Sequence, residues 1–133
     1  MQSVFDILDI LYTTINVSSV TDLIDGEVQR WKPGLNSKLQ DVVIRVLTNS
    51  DSEEDIQPSI VIINIYCKKF ANGLYDETKL KEINDAVITV LKAYTKTSGT
   101  YFSFVIVDQT IFDDPDELDM SYLSIRLNIS IQT

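Results

Sequence analysis

The stretch Tyr122-Leu-Ser-Ile-Arg-Leu-Asn-Ile-Ser-Ile131 decides the fold class of this chain. Its apolar and polar residues alternate with a strict period of two, which is typical of an antiparallel strand with one buried and one hydrated face. Residues 101–112 are also rich in β-forming side chains, and the turn sequence Asp113-Asp-Pro-Asp116 follows them. The two segments are therefore expected to form a hairpin, in a sheet that is open on one side.

Two segments have the spacing of amphipathic helices. In residues 4–16, apolar side chains recur three and four positions apart, and Ser3 is placed to cap the helix. A longer segment with the same spacing follows Asp76, a second capping residue, and runs to about residue 95. Each helix is predicted to pack one apolar face against the sheet.

The remaining segments complete an α+β pattern. Three β-rich segments precede the long helix, at residues 27–32, 41–47 and 59–67. The last of these is rich in Ile and Val, which favours a central strand covered on both faces. Residues 18–26 and 48–57 are predicted to be connections. The sequence therefore predicts one domain over 1–133, with a mostly antiparallel sheet of about five strands and two helices packed on one face.

The net charge of the chain limits the classes of partner that it is expected to bind. Its 133 residues include 11 Lys and Arg against 20 Asp and Glu, a formal net charge of −9. A protein that grips nucleic acid needs a basic surface to neutralise phosphates, so this balance argues against that function. It also argues against binding to an anionic membrane.

The residue types that most enzymes rely on are scarce. The chain has no histidine, the side chain most used for acid–base catalysis near neutral pH. Its single cysteine, Cys67, lies in an apolar run and is expected to be a small buried side chain. We therefore expect no catalytic residues and no cofactor, and the chain is predicted not to be an enzyme.

Acidic residues cluster at 51–55 and 113–119. Neither cluster has the spacing of a calcium-binding loop, and both fall in predicted turns, so hydrated turns are the favoured interpretation and no metal site is predicted. A divalent cation bridging two subunits at these clusters is the alternative.

The segment Arg30-Trp31-Lys32 is a basic and aromatic patch in an otherwise acidic chain. Trp and Arg are enriched at the centres of protein interfaces, so the patch is a candidate contact with another subunit. The alternative is that Trp31 covers the edge of the core while the two cations stay in solvent. The sequence favours neither.

Several segments, taken in order, resemble the tail-terminator or tail-completion proteins of tailed bacteriophages. The resemblance runs from about Leu23 to the C-terminus. It is carried by Gly26–Gly34, Ser37–Ile44, Ile60–Tyr66, Asp76–Val87, and the sequence Asp-Pro-Asp-Glu before Tyr122–Ile129.

The resemblance implies a structural role in the virion, after synthesis in the host cytoplasm. Such proteins are α+β subunits that close into a ring of about six copies at the junction of tail and neck, where they end the tail tube and dock to the head connector. Its expected partners are further copies, neighbouring neck, portal or tail-tube proteins, and DNA only as passing cargo. The candidate interface residues are Arg30, Trp31, Lys32, Asp113, Asp114 and Asp116. The alternative function is a cellular acidic module, an inhibitor or adaptor, that recognises a basic partner by charge.

Overall fold

The fold is known from a computed structural model, which describes residues 3–31, 39–49, 56–98 and 102–132. The helices are α1 (Val4–Ile15), α2 (Ser18–Thr21) and α3 (Glu77–Ser98). The strands are β1 (Val28–Arg30), β2 (Val42–Asn49), β3 (Ile56–Lys68), β4 (Phe102–Asp113) and β5 (Met120–Gln132). The predicted α+β class is confirmed.

The five strands form one sheet in the order β1-β2-β3-β5-β4. The long strands β2, β3, β5 and β4 pair antiparallel with their neighbours, and β1 adds to the edge of β2 in the parallel direction. The predicted hairpin of the last two strands is confirmed, with Phe104 opposite Ile129 and Phe112 opposite Tyr122. The sheet is therefore mixed but mostly antiparallel, as predicted.

The alternation in β5 places its isoleucines and leucines in the core. Leu123, Ile125, Leu127, Ile129 and Ile131 are buried. They join the buried side chains of β2 and β3 on the same face of the sheet, and the buried side chains of α1 and α3 pack against that face. The opposite face of the sheet is called the open face below. The predicted placement of both helices on one side is confirmed.

The capping residues predicted for the two main helices form the expected hydrogen bonds. The Ser3 hydroxyl accepts a hydrogen bond from the Asp6 amide at 3.1 Å, and the Asp6 carboxylate accepts one from the Ser3 amide at 2.8 Å. This reciprocal capping box begins α1. At α3, the Asp76 carboxylate accepts from the Lys79 amide at 3.1 Å. The sequence therefore placed the start of both helices correctly.

Three expectations were wrong in part. The segment 18–26 contains the short helix α2, and the predicted loop 48–57 contributes residues at both ends to β2 and β3. Strand β3 is central but is not covered on both faces, since Ile60, Ile62 and Tyr66 point to the open face and are half-buried. Neighbouring side chains on a sheet shield one another, so an apolar run does not require a second covering layer.

Candidate interaction surfaces

Arg30 is bound within its own subunit. Its guanidinium forms a salt bridge with the Asp9 carboxylate on α1. It also lies 4.5 Å from the centre of the Tyr12 ring, a cation–π contact with the same helix. Arg30 therefore fastens β1 to α1 through its charge, whereas the core-edge alternative left this cation in solvent.

Trp31, unlike Arg30, has its backbone in an unusual conformation. Its side chain is 41% exposed, and its backbone has φ of 70°, the left-handed region that bulky residues rarely adopt. The Trp31 amide still donates to the Ile44 carbonyl oxygen at 2.8 Å, which holds it to β2. A large aromatic side chain held half in solvent by a strained backbone remains a candidate contact residue. Lys32, the third member of the predicted patch, lies outside the described residues.

The predicted acidic residues share one turn between β4 and β5, called the acidic turn (residues 113–119). Asp113 accepts hydrogen bonds from the Tyr75 hydroxyl at 3.0 Å and from the Lys69 ammonium at 3.3 Å. The bond to Asp113 raises the pKa of the Tyr75 hydroxyl. The Asp114 carboxylate accepts from the Asp116 amide at 3.0 Å, which closes the turn. Asp113 and Asp114 therefore have structural partners within the subunit.

The two predicted patches do not come together. Trp31 follows β1 at one edge of the sheet, whereas the acidic turn follows β4 at the other edge. Four strand spacings of about 4.8 Å each separate those edges. The candidate residues therefore form two surfaces and not one site.

Sequence reasoning missed an apolar surface beside the acidic turn. Phe70, Leu74 and Leu118 are 53%, 63% and 81% exposed. Phe70 and Leu118 line one shallow hollow, and the Phe70 amide donates to the Leu74 carbonyl oxygen at 2.9 Å. We call these three residues the end patch. The signal in the sequence was three large apolar residues inside polar turns, where a core position is improbable.

Three aromatic rings form a row across the open face at the same end of the sheet. The Tyr122 ring lies 5.2 Å from the Tyr66 ring and 5.4 Å from the Phe112 ring, measured between centres. Burial, followed by the negative charge of Asp114, raises the pKa of the Tyr66 hydroxyl. These cross-strand ring contacts stabilise the pairing of β3, β5 and β4 next to the acidic turn.

The described residues contain no group of three or more His, Cys, Asp or Glu side chains arranged to hold a metal ion. Cys67 is buried, as predicted, and burial raises the pKa of its thiol. A raised thiol pKa disfavours the reactive thiolate at neutral pH, so Cys67 is a packing residue.

No protein-family model matches the chain, and no curated protein is significantly similar to it. Among the described helices, none combines the length and apolar character needed to cross a membrane.

Proposed function

We propose that this chain is a structural subunit of a tailed bacteriophage. In this proposal it assembles with copies of itself into a ring of about six at the junction of tail and neck. The ring ends the tail tube and docks to the portal or connector proteins of the head. The subunit works through its surfaces and converts no substrate.

The observation that carries the proposal is the pair of unlike exposed surfaces at separate places on one rigid sheet. Trp31 lies beside the β1 edge, and the end patch lies beside the acidic turn that follows β4. Exposed apolar side chains in a cluster are typical of protein interfaces. A ring needs two different complementary surfaces on each subunit, because its contacts are head-to-tail.

The net charge of −9 supports the same proposal. A ring at this junction surrounds the path of the DNA, and a negative wall repels phosphates and lets the duplex pass. We expect the assembled ring to bind duplex DNA weakly at physiological salt. A tight complex with DNA in a gel-shift measurement under those conditions would contradict this part of the proposal.

The test is the location of the chain in a particle. Antibodies raised against the purified chain, coupled to gold, should label purified tailed particles at the junction of head and tail. Peptide mass spectrometry of the same particles should find the chain beside portal and tail-tube proteins. Particles that lack the chain, while infected cells contain it, would overturn the proposal.

A further inference from the structure

A groove between α3 and β4 combines an apolar floor with positive charge. Its walls are Lys92, Thr95 and Lys96 from the last turns of α3, and Ser103, Phe104 and Ile106 from β4. The groove has a volume of about 410 Å³. Phe104 and Ile106 are half-buried and form the floor, while the two lysines are exposed at the rim.

Among the residues that the structure describes, the two lysines have no ion-pair partner that accounts for their placement. No salt bridge joins either ammonium group to a carboxylate among the described residues, although acidic residues outnumber basic ones 20 to 11 in the chain. An apolar floor with an unpaired cationic rim is complementary to an apolar side chain flanked by carboxylates.

The acidic turn has that composition. Leu118 is the most exposed large apolar side chain of the described residues, and it stands between Glu117 and Asp119. Asp116, one residue further back, is also exposed. The turn therefore presents one apolar side chain with carboxylates on both sides.

The groove and the acidic turn lie at opposite ends of β4. Phe104 is near the start of the strand and Asp113 is its last residue. At about 3.3 Å per residue, roughly 30 Å separates them, so one subunit cannot bring its own turn to its own groove. A contact between these two surfaces joins two subunits and is head-to-tail, which is the kind of contact that closes into a ring.

We propose that Leu118 of one copy inserts into the α3/β4 groove of a second copy, with the flanking carboxylates facing Lys92 and Lys96. This inference rests on the proposed function, because it names one contact of the proposed ring. A single side chain in a groove buries much less surface than a stable pair of proteins needs. We therefore expect weak association of two copies and much stronger association once a ring closes.

The experiment is directional cross-linking of two variants of the full chain. Thr95→Cys places a thiol at the groove, and Pro115→Cys places one on the acidic turn without removing Leu118 or a carboxylate. With a short thiol-reactive cross-linker, a mixture of the two variants should give a covalent dimer of one copy of each. Either variant alone should give no covalent dimer, and neither should the native chain, whose only thiol is buried.

Further substitutions test the two components of the contact. On the Pro115→Cys chain, Leu118→Ser should abolish the cross-link. Val105→Ser is the matched control, since Val105 is 66% exposed but projects from the open face, and it should leave the yield unchanged. Lys92→Glu with Lys96→Glu on the Thr95→Cys chain should slow cross-linking about tenfold, and Asp116→Lys on the partner variant should recover part of the rate. Circular dichroism checks that each variant is folded.

Two results would overturn the inference. A dimer from Pro115→Cys alone, with none from the mixture, would mean that two acidic ends meet each other symmetrically. No cross-link from the mixture at concentrations where the native chain forms rings would mean that the ring uses another contact. In the second case the proposed function stands, because ring formation is measured separately by the mass of the native assembly.

Discussion

Trp31 holds a backbone conformation that costs free energy in any residue with a side chain. At φ of 70°, the Cβ atom crowds the following carbonyl oxygen, at a cost of about 1 kcal/mol. Trp31→Gly and Trp31→Ala both remove the indole ring, but only glycine removes the strain. We expect the glycine variant to have the higher free energy of unfolding, by about 1 kcal/mol, in urea titrations.

The same pair of variants tests the indole as a contact. Both should impair assembly equally, since neither keeps the ring, although they differ in stability. Assembly that followed the stability of the two variants would assign Trp31 a folding role only. Equal free energies of unfolding would contradict the strained backbone.

Gly26 and Gly73 are required for different reasons, and alanine separates them. A Cβ atom at Gly26 would lie 2.2 Å from the Asp41 carboxylate and 2.6 Å from the Gln40 carbonyl oxygen. Gly73 has open space around it but φ of 83°. We expect Gly26→Ala to lower the free energy of unfolding by about 1–3 kcal/mol through overpacking. Gly73→Ala should lower it by about 1 kcal/mol through backbone strain.

Thermal or urea unfolding of both variants checks these values. Gly73→Asn is the control, because asparagine tolerates the left-handed region, and it should be less costly than alanine there. A harmless Gly26→Ala would contradict the close approach of Gly26 to the segment before β2.

At the residue scale, hydrogen bonds between residues close in sequence were predictable, and hydrogen bonds between residues far apart in sequence were not. Ser3 and Asp76 were identified as caps because their partners lie three residues away. The bonds of Asp113 to Lys69 and Tyr75 join residues far apart in sequence. Only the fold brings them together, so the charge pattern alone did not predict these bonds.

The stability that the capping box gives to helix α1 depends on pH. Hydrogen bonds from Ser3, first from its amide and then from its hydroxyl, lower the pKa of Asp6 below its ordinary value of 3.8. A carboxyl with a lowered folded-state pKa stabilises the fold above its unfolded pKa, and that stabilisation is lost as the pH falls through the folded value. The capping box therefore weakens in acid.

The variant Asp6→Asn measures this effect. Above about pH 5 the native chain should have the higher free energy of unfolding, and the difference should shrink below the ordinary pKa of 3.8. Other carboxyl groups titrate in both proteins, so the difference between them isolates Asp6. A difference that is constant from neutral pH to pH 3 would contradict this role for the charge.

The open face of β3 gives a test with two neighbouring isoleucines. Ile63 is fully buried against the helices, whereas Ile62 faces the open side and is half-buried. We expect Ile63→Ala to lower the free energy of unfolding by about 2–5 kcal/mol, and Ile62→Ala to lower it clearly less. Denaturant titration compares them, and equal losses would mean that a second layer covers the sheet.

At the element scale, the sequence pattern predicted each main helix and strand, the start of both main helices and the β4–β5 hairpin, but not the other strand pairings or the ends of β3. The alternation in β5 identified its buried face correctly. The ends of β3 depend on β5, whose Gln132 pairs with Ile56 across the sheet, so a loop predicted from local polarity was too long. The three residues of β1 contain no sequence pattern that predicts its parallel pairing with β2.

At the scale of the molecule, the fold class was predictable because core burial follows the apolar pattern. The interaction surfaces were only partly predictable. Leu118 and Leu74 lie in polar turns, which is a weak signal of exposure, and the fold shows that they lie in solvent in or beside the acidic turn. Arg30 was a candidate by residue type, but the neighbouring helix α1 uses its charge.

A subunit with two different contact surfaces at separate places assembles through head-to-tail contacts. Free subunits with a net charge of −9 repel one another at long range. Complementary contact surfaces must then hold neighbouring subunits together. In a closed ring every subunit makes two contacts, so the ring is more stable than an open chain of the same subunits. We therefore expect few open intermediates between the monomer and the closed assembly.

Native mass spectrometry of the purified chain over a concentration series tests the central claim most directly. We expect one closed assembly of about six subunits that appears above a threshold concentration, with little dimer or trimer beside the monomer. A chain that stays monomeric at every concentration, or that forms a two-fold dimer and nothing larger, would contradict that claim.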